Sequence, residues 1–152
     1  MNDTISKRIY MDACVLCRPF DDPVSLRIRM ERDAVLLIEE YIRSGIYRMV
    51  VAPIHFVELG VTTERVERLE VLTFLNGYGE RLRWNMPTVR KRAEELYQAG
   101  FGTADAIHVA FAEHSNAVFL TCDDRLEKKC RKAGIDVACM NPLRFCEEEG
   151  LR

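Results

Sequence analysis

Short apolar runs and longer amphipathic stretches alternate along this chain. Residues 8–12, Arg-Ile-Tyr-Met-Asp, read as a buried strand running straight into the apolar 13–16, and 47–52 and 117–121 read as two more strands. Residues 81–85 make a weaker candidate and 136–140 a last one. Between them, apolar positions recur at helical spacing. Met30, Ala34, Leu37, Ile38, Tyr41 and Ile42 define a helix over about 24–44 that stops at Gly45. Pro53 opens the next helix, which carries Phe56, Val57 and Glu58 and breaks near Gly60; another begins around Thr63 and ends near Gly77 or Gly79. Thr88 is expected to cap a helix through Tyr97 that stops at Gly100, and Thr103 to cap one whose apolar face carries Ile107, His108 and Phe111. Asp123 or Asp124 opens a helix closing at Gly134, and a short helix follows Pro142. Strands separated by helices, with no two-residue hairpin signal, predict an α/β protein: three layers, α/β/α, around a central, mostly parallel sheet. In such a sheet the ligand site lies beyond the carboxyl ends of the strands.

With 152 residues, 48% of them apolar, the chain suits one domain over 1–152, and a chain of this size buries about 70% of its unfolded surface without needing a staple. Its six cysteines lie in apolar or amphipathic stretches, and 1–8 lack the charged-then-apolar pattern of a secretory leader. The charge-free stretches fall far short of the roughly 20 apolar residues that span a bilayer. A cytoplasmic protein with no membrane contact is therefore expected. Twenty-two Lys and Arg against 24 Asp and Glu give a net charge of −2, which excludes a globally basic nucleic-acid binder. Two local basic runs remain, one from Arg81 to Arg92 and one from Arg125 to Lys132.

Three acids sit alone in apolar surroundings. Asp12 is the only charge between Arg8 and Arg18, Glu58 the only one between Arg48 and Glu64, and Asp105 the only one between Glu95 and Glu113. A fourth, Asp123, closely follows the 117–121 strand. All four fall on the predicted carboxyl edge of the sheet. Gathered carboxylates repel one another unless a cation joins them, and hard oxygen donors suit Mg²⁺ or Mn²⁺ and phosphoryl chemistry. Each acid also has a structural reading. Asp105 benefits from the dipole of a first helical turn, Glu58 can pair with an arginine of another helix, and Asp124 is the expected cap at its turn, with Glu127 completing the pattern. Asp12 alone has no evident partner.

Other features are read as structural. Cys14-x-x-Cys17 is assigned to the core, as is His108, with a contact from His108 to Asp105 as the alternative. His55, one turn before Glu58, faces either the acidic pocket or a packing partner. The single Trp84 does not by itself make a stacking platform for RNA. No phosphate-binding glycine loop, nucleophile elbow or His-Glu-x-x-His helix is present.

Asp12 in Tyr-Met-Asp-Ala-Cys-Val-Leu, Glu58 in His-Phe-Val-Glu-Leu, Asp105 in Ala-Asp-Ala-Ile-His-Val-Ala and Thr121-Cys-Asp123 occur in an order and spacing that resemble the PIN domain family over nearly the whole chain. The resemblance implies a metal-dependent ribonuclease acting on RNA, as in the VapC-type toxins, whose partner is an antitoxin protein. It implies Asp12, Glu58, Asp105 and Asp123 as the acids that bind Mg²⁺ or Mn²⁺, and Thr121 as the hydroxyl that orients Asp123 or a water. Two features depart from the pattern. Cys14 stands where many members have Asn, Ser or Thr, and residues 20–32 enlarge the first connection. The alternative is a catalytically silent PIN-fold module that binds RNA or a protein. Leu69, Leu72 and Leu75, nearly in line, together with the long helix over 24–44, offer more apolar surface than a sheet face uses, which predicts an isologous homodimer.

Overall fold

The computed structural model describes residues 6–62 and 64–152. The start of the chain at 1–5, read above as carrying no leader, and Thr63, the expected start of a helix, lie outside the described residues. Five strands, β1 (Arg8–Met11), β2 (Arg48–Val51), β3 (Gly79–Arg81), β4 (Val118–Leu120) and β5 (Cys139–Met140), pair in the order β3-β2-β1-β4-β5, every pair parallel. Eight α-helices are described: α1 (Ala13–Cys17), α2 (Leu26–Arg43), α3 (Pro53–Thr62), α4 (Arg65–Tyr78), α5 (Met86–Gln98), α6 (Thr103–His114), α7 (Asp124–Ala133) and α8 (Pro142–Glu149), with a single 3₁₀ turn at Arg18–Phe20. The expected three-layer α/β/α architecture with its parallel sheet is the one observed.

Strand β1 explains the two cores. Its side chains alternate faces, so Ile9 and Met11 join one buried cluster with Val35, Ile38 and Leu75, while Tyr10 joins the other with Val109, Phe119 and Leu126. Burial on both faces is why the strands read as continuous apolar runs rather than alternating ones. The strand order reverses between β1 and β4, so the carboxyl ends of these two strands flank the switch point at which an open α/β sheet binds ligands.

Several boundaries differ from the sequence reading, each for a local reason. Residues 13–17 leave the sheet as α1, because the Asp12 side chain caps their backbone. Asn85, not Thr88, caps α5 and accepts from the Thr88 amide at 3.3 Å, with a proline in the first turn. Gly102 occupies the cap position of α6, and Thr103 is already helical. The third strand is Gly79–Arg81 rather than 81–85. It starts on glycine because a Cβ there would lie 2.0 Å from Val51 Cγ2 on β2. Helix α3 runs through Gly60, where a break was expected. The last strand contracts to two residues. No helix among the described residues is long and apolar enough to cross a membrane.

Candidate functional site

The acids expected from the sequence lie on the carboxyl edge. Asp12 directly follows β1 and is only 6% exposed. Its backbone amide donates to the Leu120 carbonyl of β4 at 3.3 Å. Its Oδ1 accepts from the Val15 amide (3.1 Å) and from the Cys14 thiol (2.8 Å). Asp12 therefore has the partners that the sequence did not reveal: it is the N-cap of α1. Burial pushes its carboxyl well above the ordinary range, and the neighbouring Cys14 adds to this, while hydrogen bonds from Thr121 and Val15 work against it. Cys14 is thus not only a core residue. The hydrogen bond with the adjacent Cys122, and then burial, raise its thiol, so it stays protonated as a donor.

Glu58 projects from α3 with its side chain 27% exposed, and its partner is a histidine rather than the arginine considered above. His108 Nε2 donates to Glu58 Oε1. With Nε2 as the donor, Nδ1 accepts from the Tyr10 phenol, 2.6 Å away. His108 bridges Glu58 to β1 and is not the ligand of Asp105. The bond from His108 holds the Glu58 carboxyl below its usual value despite partial burial. The Tyr10 phenol is raised by burial and by the charges of Asp12 and Glu58. His55 is buried beside this chain, 4.7 Å from the Tyr10 ring and 5.3 Å from His108. Its Nδ1 accepts from the Ala52 amide and Nε2 donates to the Met11 carbonyl, which fixes a neutral tautomer. Burial, with His108 nearby, lowers it to about 4.

Asp105 lies half-buried in the first turn of α6. Burial raises its carboxyl, and the charges of Asp123 and Glu58 raise it further against His108 and Lys129. Asp123 is exposed and caps α7, accepting from the amides of Arg125 (2.9 Å) and Leu126 (3.3 Å). The cap is Asp123 and not Asp124, because Asp124 turns away to a bidentate pair with Arg27, 2.7 Å on each arm. Thr121 is buried and accepts from the Asp123 amide at 3.1 Å. Its hydroxyl thus serves the backbone of Asp123 and the carboxylate of Asp12.

Among the described residues, no three His, Cys, Asp or Glu side chains converge closely enough to hold a metal ion. The reason is local. Asp12 and Asp123 are turned onto amides of their own helices, and Glu58 is held by His108. Asp105 nevertheless feels the charges of Asp123 and Glu58. Sequence reasoning missed Tyr10, whose burial mid-strand with a hydroxyl was the available signal, since a buried phenol requires a partner. It also missed Arg27, which ties the buried Glu31 to Asp124 and to the Cys122 carbonyl and so fixes the turn carrying Asp123.

Fold and edge together define a parallel three-layer protein with carboxylates around its switch point. A family model for the PIN domain matches residues 9–132, and the chain belongs to the PIN domain family. Comparison with curated proteins finds no match. Among solved structures the chain is similar to FitAcB from Neisseria gonorrhoeae, with 15% identity and a TM-score of 0.51 over 88% of this chain and 97% of that one. It is also similar to FitAB bound to an IR36 DNA fragment, with 15% identity and a TM-score of 0.55 over 89% and 95%. At this identity the likeness is one of fold.

Proposed function

We propose that this chain is a divalent-metal-dependent endoribonuclease that hydrolyses RNA phosphodiester bonds, acting in the cytoplasm as a toxin whose partner is an antitoxin protein. The observation that carries the reading is the placement of Asp105: a half-buried carboxyl, raised first by burial and then by the charges of Asp123 and Glu58, on the edge that also holds Asp12. A cation relieves such mutual repulsion, and four hard oxygen donors suit one. Held by Asp12, Glu58, Asp105 and Asp123, Mg²⁺ or Mn²⁺ would supply a water activated for attack and neutralise charge developing on the phosphodiester.

The chain's own groups have separate tasks. His108 keeps Glu58 ionised, so that this acid is ready for a cation or a proton at neutral pH. Thr121 holds the backbone at Asp123, and Arg27 clamps the same turn from outside. Six free thiols suit a reducing cytoplasm. A second reading, a silent module that binds RNA or a protein, is favoured by the engagement of Asp12 with Cys14 and Val15. Incubating a mixed RNA pool with wild type and Asp12→Asn, in Mg²⁺, Mn²⁺ or EDTA, separates the two. Cleavage by wild type only, with metal only, is expected. Equal cleavage by both proteins in EDTA, or none by either under any condition, overturns the nuclease reading.

A further inference from the structure

A cavity of about 420 Å³ opens at the carboxyl ends of β2 and β3, lined by Val51, Ala52, Phe56, Arg81, Leu82 and Trp84. Its volume falls in the roughly 300–1,000 Å³ range of small-ligand sites. The parallel register pairs Ile9 with Met49 and Met49 with Gly79. Three residues further along each strand, Asp12, Ala52 and Leu82 therefore share one row. Leu82 stands two strand spacings from Asp12, about 10 Å. The cavity thus adjoins the acidic edge, within reach of the nucleotide next to one presented to Asp12.

Its lining has a particular chemistry. Trp84 is the only tryptophan in the chain. Its ring is steadied by an edge contact to Phe111 at 4.8 Å and by His114 at 5.4 Å. Phe56 arrives from α3, and the Arg81 guanidinium lies 5.0 Å over its ring while donating to Asn76 at 2.8 Å. Two aromatic rings and a planar cation on the sheet edge are the surfaces on which unpaired bases stack, with the cation serving the adjoining phosphate. Trp84 alone makes no such platform; the fold supplies the second ring from 28 residues earlier.

We propose that this cavity is a base-stacking subsite that takes the nucleobase next to the phosphate presented at the acidic edge. The proposal rests on the ribonuclease reading for its choice of RNA. It is tested in EDTA, where no metal-dependent cleavage occurs, by titrating the whole protein with a ten-nucleotide oligoadenylate and with an abasic ten-mer of equal charge. Oligoadenylate is expected to quench Trp84 fluorescence and the abasic oligomer to leave it unchanged. With a labelled oligoadenylate read by anisotropy, Phe56→Leu and Trp84→Leu are expected to weaken binding at least about five-fold, the low end of what one base stack contributes. Arg81→Gln is expected to lower its salt dependence. Circular dichroism identifies any variant that has not folded, and the wild-type quenching comparison decides the matter without variants. Equal quenching by both oligomers, or none by either, overturns the subsite. A protein-binding role for the cavity would give that second outcome. Failure of the nuclease reading is separate: quenching by oligoadenylate together with no cleavage in Mg²⁺ or Mn²⁺ leaves a base-binding site without an enzyme.

Discussion

Asp12 serves both as a helix cap and as a buried charge, and these roles respond differently to substitution. Asparagine keeps the accepting oxygen for the Val15 amide while removing a carboxylate whose ionisation burial opposes. Asp12→Asn and Asp105→Asn are therefore expected to leave the melting temperature of the metal-free protein unchanged or raised while ribonuclease activity falls. A drop of several degrees, measured by circular dichroism in EDTA, would show that the acids serve the fold instead. Glu39 gives a second residue-scale expectation. It is buried on α2, and burial raises it to about 7, which Arg43 at 3.7 Å only partly offsets; Arg32 and Glu70 line the same cavity. Between pH 4.5 and 7 the folded protein keeps a proton that the unfolded chain has released, so this group's contribution to stability falls as pH rises through that window. Glu39→Gln is expected to be more stable than wild type at pH 8 by about 1–3 kcal/mol and to differ little at pH 4. Denaturant unfolding at the two pH values measures the difference, and an equal gap at both would refute it.

At the scale of elements, helix starts determine where the functional side chains point. The turn from β4 into α7 contains adjacent aspartates that the sequence does not distinguish. Arg27 decides between them by taking Asp124 and the Cys122 carbonyl, which leaves Asp123 to cap the helix. Asp123→Ala is expected to cost about 1 kcal/mol of stability through the lost cap and to abolish cleavage. Asp123→Asn should keep the cap and lose only cleavage. Asp124→Ala should cost less stability than Asp123→Ala, because its ion pair is solvent-exposed. Thermal melts of the three variants order them, and Asp124→Ala emerging as the least stable would contradict the assignment.

At the scale of the molecule, the apolar surface follows the sequence expectation on α2, where Leu26, Met30 and Leu36 are exposed, and departs from it on α4. Of the leucines nearly in line on α4, Leu75 is used by the core and Leu72 is half-buried, so only Leu69 remains exposed. The exposed apolar side chains nearby are Val57 and Val61 on α3 and Val66 on α4, with Val61 80% exposed. Exposed apolar side chains on neighbouring helices favour a self-complementary partner, and we propose a homodimer that buries them. Light scattering across a wide concentration range is expected to give twice 17.6 kDa, and Val61→Glu with Leu69→Glu is expected to give the monomer. A wild-type monomer at every concentration would remove the dimer while leaving the acidic edge intact.

The α/β/α architecture, the parallel sheet and the edge carrying Asp12, Glu58, Asp105 and Asp123 were legible in the sequence, whereas the start of β3 at Gly79, the unbroken α3 and the caps of α5, α6 and α7 were not. Apolar runs, proline and glycine act within a few residues of themselves, and the rules connecting βαβ units leave few topologies. The partners of those acids were not legible. His108 meets Glu58 from 50 residues away and Tyr10 meets His108 from 98, and no local pattern encodes such distances. The cavity at β2 and β3 likewise exists only because parallel pairing brings Phe56 and Trp84 to one edge. Local chemistry determined which carboxylates stand at the sheet edge. Tertiary packing decided which of them cap helices, which one a histidine holds ionised and which aromatic rings stand beside them, because a side chain's direction and charge state depend on neighbours that only the folded chain supplies.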